Sequence, residues 1–223
     1  MAIEIRLKVL KDPLSWLSHF LGFLAAIVGL VFLVLLTAGD GPKVAGMAIY
    51  GGTLVTMFFT SSTYHFFDIG VPGNRWLRRL DHTAIFLLIA GSYVPPMIHL
   101  LDGTWRIAML VAIASLTVLG IGFKLLWIEC PRWLSVGVYL ALGWAIFIPG
   151  PIILPKLDAT SLAWLGGGGL AYSLGALIYA RRWPDPWTGV FGFHEIWHVF
   201  VLTGAACHYF FALGFIDAPY PPF

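Results

Sequence analysis

WLSHFLGFLAAIVGLVFLVLLTA, residues 16–38, decides the solvent in which this chain folds. The stretch holds no aspartate, glutamate, lysine or arginine. Wound as a helix it would rise about 34 Å, enough to cross a hydrocarbon core about 30 Å thick. It is also longer than the roughly 7–15 residues of a signal-peptide core, and no small-x-small cleavage site follows it, so it is expected to be a retained first span. The rest of the chain repeats the pattern. Of 223 residues, 59% are hydrophobic and 11% charged, where a soluble domain carries about 25% charged residues. A water-soluble fold has no way to hide that much apolar surface, so the solvent is lipid. The formal charge of +2 comes with no basic block, which speaks against nucleic-acid binding. Cys130 falls in a loop and Cys207 deep in the last apolar segment, so neither a disulfide nor a cysteine metal site is expected.

Working outward from this stretch, seven segments are long and apolar enough to cross: Trp16–Ala38, Val44–Phe67, Asp81–Leu101, Trp105–Trp127, Trp133–Leu154, Ser161–Ala180 and Phe193–Phe215. Charges, prolines and glycines fill the breaks: GDGPK, DIGVPGNRWLRR, LDGT, ECPR, PKLDA and RRWPDPWTG. These connections are short, so one all-α seven-helix transmembrane domain over 1–223 is expected. Placing the N-terminus in the cytoplasm puts Arg6, Lys8, Lys11, Arg75, Arg78, Arg79, Lys124, Arg132, Arg181 and Arg182 inside. Lys43, Arg106 and Lys156 then fall outside, ten cations against three. Six or eight spans would spoil that alternation. The expectation is N-in, C-out, in the plasma or inner membrane. Trp16, Trp76, Trp105, Trp127, Trp133, Trp183 and Trp187 fall near the proposed ends, as an aromatic belt should.

The polar residues gather on that map. Ser61 and His65 end the second span, Asp81 and His82 open the third, and His194, Glu195 and His198 open the seventh. All three ends emerge on the cytoplasmic side. Residues four apart share a helix face about 6 Å apart along the axis, so His194 and His198 can aim at one metal and Ser61 can stand beside His65. Imidazole is a good zinc ligand, and three protein ligands plus a water make an open, catalytic type of site. Asp81 is the natural residue to hold or deprotonate that water.

S-x-x-x-H at 61–65, an aspartate at 81 and H-x-x-x-H at 194–198 in the last span together resemble the progestin and adipoQ receptor family. The short N-terminus and compact loops are similar to its bacterial hemolysin III branch, and the resemblance covers essentially the whole chain. It implies that His65, His194 and His198 bind Zn²⁺ and that Asp81 contacts the metal through water. The family's grouping with alkaline ceramidases implies lipid-amide hydrolysis as a possible reaction.

Plainer readings exist for each residue. Asp81 suits a helix N-cap, Ser61 suits close helix packing, His65 suits an interfacial hydrogen bond, and His194 and His198 suit a structural pair near a wet helix end. His19, at the inner end of the first span, is expected outside the site or at most as a neighbour of a ligand. His99 and His208 are expected outside it, His208 lying about 15 Å along the helix from His198. His82 points to another face than Asp81. Pro95 and Pro96 should bend the third helix, Gly166–Gly169 should permit close helix approach, and Arg75, Arg78 and Arg79 suit anionic headgroups.

His194-Glu195-Ile196-Trp197-His198 also reads as H-E-x-x-H, the zincin protease signature with glutamate as base. Its only downstream ligand would be Asp217, about 28 Å away along the same helix, so a third ligand must come from His65 or Asp81. Three functions follow as expectations. The first is a zinc-dependent hydrolase of lipid amide or ester bonds, with Asp81 and Ser61 in catalytic roles, membrane lipids as partners and substrate, and a part in lipid homeostasis. The second is a receptor or regulator in which zinc only ties spans together. The third, a cytolysin, fits poorly because the spans are apolar throughout rather than amphipathic.

Overall fold

The computed structural model describes residues 10–221, so the expected inside cations Arg6 and Lys8 lie outside the described residues. Within that range the chain is helical, with an isolated bridge between Trp187 and Phe191. The helices are α1 (Pro13–Leu36), α2 (Gly41–Phe66), α3 (Gly70–Leu100), α4 (Gly103–Leu126), α5 (Arg132–Gly143), α6 (Gly150–Ile153), α7 (Ala159–Arg181) and α8 (Phe193–Leu213). Short 3₁₀ turns, Trp144–Phe147 and Leu154–Lys156, follow α5 and α6. Six helices are long and apolar enough to cross a membrane, and the bent pair Arg132–Phe147 and Gly150–Lys156, angled by 42°, makes a seventh crossing if taken as one span. The protein is therefore an all-α, multi-pass membrane protein.

The fifth crossing is the one that departs from a regular helix. At 12 residues, α5 rises only about 18 Å, well short of the bilayer core. Pro149, Pro151 and Pro155 follow it closely in sequence. Each lacks a backbone donor, so the chain proceeds by 3₁₀ turns instead of a continuous α-helix. By contrast α3 runs unbroken through Pro95 and Pro96 to Leu100.

The start of α3 corrects the reading of Asp81. The helix begins at Gly70, not at Asp81, because the charged stretch after Phe67 winds into helix instead of forming a loop. Asp68 Oδ1 accepts hydrogen bonds from Gly70 N and Asn74 Nδ2, and Asn74 Oδ1 accepts from Ile69 N, which organises the first turn. Asp81 thus sits inside the helix, where it cannot act as the N-cap, and its carboxylate is free for other work.

Lipid-facing and bundle-facing residues segregate sharply on α1. Ser15, His19, Gly22, Ala26, Gly29 and Leu33 are buried, whereas Leu21, Val28, Phe32 and Leu35 are exposed. Lipid tails are as apolar as leucine, so small residues that let backbones approach supply the packing between membrane helices. A Cβ on Gly22 would lie 2.8 Å from Phe58 of α2 and 2.8 Å from Leu202 of α8. Gly22→Leu is accordingly expected to cost about 1–3 kcal/mol through overpacking, read as a fall in the thermal unfolding midpoint in detergent. Unchanged melting would show that α1 docks by other contacts.

Candidate metal centre

α1, α2 and α8 bring their polar residues together at one end of the bundle. His65 from the last turn of α2 and His194 and His198 from the first turns of α8 form a group whose ligand atoms all lie within 4.8 Å of one another. His65 and His198 are each 2% exposed, which leaves them little access to water.

The hydrogen bonds settle which ring nitrogen is available. His65 Nδ1 lies 2.8 Å from Asp12 Oδ2, and since a carboxylate only accepts, Nδ1 carries the proton and Nε2 keeps a lone pair. His198 Nδ1 lies 3.2 Å from the Ser15 carbonyl oxygen and 3.2 Å from Ser18 Oγ. It donates to that carbonyl, so its Nε2 is also free. His65 Nε2 and His194 Nε2 face each other at 3.3 Å. Two nitrogens bound tetrahedrally at zinc-like lengths of ~2.05 Å would be ~3.3 Å apart. Metal-binding histidines characteristically donate their second N–H to a carboxylate or carbonyl. The donor set therefore fits a metal ion, with His65, His194 and His198 as the residues to hold it.

α1 supplies most of the surroundings of this group. Asp12 N donates to His65 O at 3.0 Å and Lys11 N to Phe66 O at 3.2 Å, so the chain leading into α1 caps the end of α2. Lys11 Nζ completes this cap by donating to Tyr64 O at 3.0 Å. Burial works against the Asp12 charge, but the hydrogen bond from His65 and the Lys11 ammonium help to hold the carboxyl below the usual range. Ser15 Oγ donates to Glu195 Oε1 at 2.8 Å, tying α1 to α8. His19 stacks on His198 with ring centroids 3.6 Å apart and planes 14° apart, and its Nδ1 lies 2.7 Å from Ser61 Oγ. His19 is thus part of the site's wall, closer in than its sequence position suggests.

The remaining residues of interest are placed as follows. Ser61 is buried, engaged by His19 and within reach of the Asp81 carboxyl. Asp81 lines a mainly apolar cavity of about 270 Å³, together with His19, Ser61, His194 and His198. His82 borders this cavity as well, as a neighbour that is not among the three clustered imidazoles. Glu195 has both oxygens occupied, one by Ser15 and the other by Gly192 N at 2.8 Å, the latter closing the first turn of α8. His208 lines the cavity far from the three imidazoles and stands against Gly168, while His99 stacks on Phe215 at the opposite end.

The cavity extends from Arg78 and His194 to Phe211, about 25 Å along α8. A second depression, bordered by Lys11, Asp12, Gly192, His194 and Glu195, approaches the cluster from the end of the bundle. His194 belongs to both. His198 borders the cavity alone, so His194 is the member of the cluster that links the two spaces.

Comparison with known proteins gives the family. A family model described as haemolysin-III related matches residues 7–209. The chain belongs to that family. Among haemolysin-III related proteins it is 32% identical over 199 residues to the hemolysin-3 homolog of Bacillus subtilis, covering 88% of this chain and 90% of the relative. It is 29% identical to hemolysin-3 of Bacillus cereus, over 93% of each chain. It is also 30% identical over 212 residues to the adiponectin receptor protein of Drosophila melanogaster, covering 86% of this chain and 48% of that one. The haemolysin-III related chain and the adiponectin receptor proteins thus share one membrane family.

In this haemolysin-III related protein, Asp12 is the partner of His65 that sequence spacing alone did not reveal. Asp12→Ala is expected to weaken metal affinity about 10–100-fold, the usual consequence of removing such an orienting carboxylate. Competition against a metal indicator measures it directly, and an unchanged affinity would deny Asp12 this role.

Proposed function

We propose that this protein is a zinc-dependent hydrolase of lipid amide or ester bonds, working near the cytoplasmic leaflet of the cell membrane and contributing to lipid homeostasis. The observation that carries the reading is the position of the three-imidazole cluster, with His194 and His198 on the wall of an apolar cavity suited to a hydrocarbon chain and His194 also bordering a depression at the end of the bundle. An all-imidazole donor set suits zinc, and three protein ligands match the open type of zinc site. When bound, zinc supplies Lewis acidity toward a carbonyl and makes water nucleophilic near neutral pH.

The chain's own residues do the rest. His65, His194 and His198 hold the ion, with Asp12, Ser15 and Ser18 fixing two of the rings. Asp81, on the cavity wall beside Ser61, takes a proton from water and returns it to the departing amine or alkoxide. Ser61, held by His19, donates its one hydroxyl proton to the Asp81 carboxylate and so orients it toward the reacting water. Arg78 borders the same cavity and suits an anionic headgroup. The structural engagement of Glu195, which holds Ser15 of α1 and Gly192 N at the first turn of α8, argues against the zincin reading.

Elemental analysis of purified protein, followed by a lipid panel assayed for fatty-acid release, tests the proposal. One zinc per chain and chelator-sensitive release are expected. The name of the adiponectin receptor relative favours a second reading, a receptor in which zinc ties α2 to α8 without turnover. A large drop in melting temperature on chelation, with no release from any ceramide or phospholipid, would favour that reading over hydrolysis. The hemolysin names of the Bacillus relatives raise a cytolysin, but the uniformly apolar helices of this chain suit permanent residence in a membrane.

A further inference from the structure

A second group of reactive side chains lies away from the imidazole cluster. At the C-terminal end of α4 and the start of α5, Lys124, Cys130 and Ser135 are 1%, 5% and 4% exposed. Lys124 Nζ is 3.2 Å from Cys130 Sγ and donates also to Ser135 Oγ, while Sγ and Oγ are 3.0 Å apart. Among the described residues Lys124 forms no ion pair, so its hydrogen bonds go to a thiol and a hydroxyl instead of a carboxylate. Burying a lysine usually demands a paired acid, and a structural role alone gives no reason to surround it with a nucleophile. A nucleophile, a base within hydrogen-bond reach and a third group fixing that base form the arrangement seen in covalent catalysis.

The surroundings indicate what would react. Cys130 and Ser135 line the apolar cavity, which is long enough to take an alkyl chain. Arg78 and Arg132 border the same cavity; the Arg132 guanidinium lies over the Tyr179 and Phe193 rings, and its buried Nη1 has no hydrogen-bond acceptor among the described residues. An apolar chain attached to an anionic carrier matches this pairing of lining and charge.

We propose that Cys130 is an S-acylation site that takes a long-chain acyl group from a fatty acyl thioester, with the chain lodged in the cavity. Sγ attacks the thioester carbonyl, the new S–C bond forms, and the bond to the carrier sulfur breaks. The step starts from the uncharged Lys124 amine, whose lone pair takes the thiol proton and passes it to the departing thiolate, leaving acyl-Cys130, a free carrier thiol and the amine as it began. One thioester replaces another, so no oxidant or reductant is consumed. Ser135 is a positioning residue that holds Nζ against Sγ. The site shares the cavity with the metal centre but not its ligands, and the acylated protein has its cavity partly filled.

Purified protein in lipid nanodiscs, incubated with hexadecanoyl-coenzyme A and read by intact mass spectrometry, tests this. One acyl group per chain is expected, mapped to Cys130 and released by neutral hydroxylamine. Cys207→Ser should acylate as the wild type does, Cys130→Ser should not, and Lys124→Met should slow the reaction about 10²-fold or more. Melting temperature and metal content identify any variant that fails to fold; if Lys124→Met is one, Ser135→Ala is used in its place and should slow the reaction. Chelation of the metal should leave the rate unchanged, which separates this site from the hydrolase. Absence of an adduct, equal labelling of Cys130 and Cys207, or the same rate in protein unfolded by detergent would each overturn the proposal.

Discussion

His198→Ala is expected to reduce bound metal from about one ion per chain to under about a tenth of that, as a site fitted to three imidazoles loses one of them. The choice of this histidine follows from its surroundings. It is buried, its Nδ1 is held by the Ser15 carbonyl and Ser18, and the His19 ring lies flat against it. Removal leaves a void and buried acceptors without a donor, so the metal-free protein should also lose about 2–5 kcal/mol. Elemental analysis reads the first effect, and melting of chelated samples reads the second. His82→Ala is the control, because His82 borders the same cavity without belonging to the cluster. Equal metal loss in both variants would mean that the cluster is not the binding site.

The second large effect is expected at Asp81. Asp81→Asn should lower lipid hydrolysis about 10²–10⁴-fold, the usual contribution of a general acid–base group, while the metal stays bound. Retention is expected because Asp81 is not among the three clustered ligands. Asparagine keeps the shape and the contact with Ser61 but cannot carry the proton. Parallel measurement of turnover and metal content divides the possibilities cleanly. Normal turnover would remove Asp81 from the chemistry, and loss of metal would recast it as a ligand.

The long helices were legible because lipid leaves so plain a signature: runs such as Trp16–Ala38 and Trp105–Trp127 leave little else to consider. The two elements that differed did so for local reasons. Arg75, Trp76, Arg78 and Arg79 resemble a loop by charge, yet they wind into α3 because the Asp68–Asn74 contacts organise its first turn. The fifth crossing breaks where prolines remove backbone donors, a signal present in the sequence but masked by its hydropathy.

The imidazole cluster was equally readable from i, i+4 spacing and the matching ends of α2 and α8. Its supports were not, since Asp12, Ser15, Ser18 and His19 are remote in sequence from His65 and His198. A trace of them did exist. Ser15, His19, Gly22, Ala26, Gly29 and Leu33 form a small and polar stripe at helical spacing along an otherwise leucine-rich segment. That stripe marks the face of α1 turned toward the bundle. No rule of spacing says which histidine each of its members would meet.

The docking of α1 has a practical outcome for anyone handling the protein. The residues that brace His65 and His198 begin at Asp12, whereas the C-terminal segment is fastened at the far end by Lys43 Nζ on Ile216 O and by Tyr220 on Asp40. Substitutions at Asp12, Ser15 or Ser18 therefore touch the centre itself. Substitutions at Lys43 or Tyr220 act on the opposite end of the bundle.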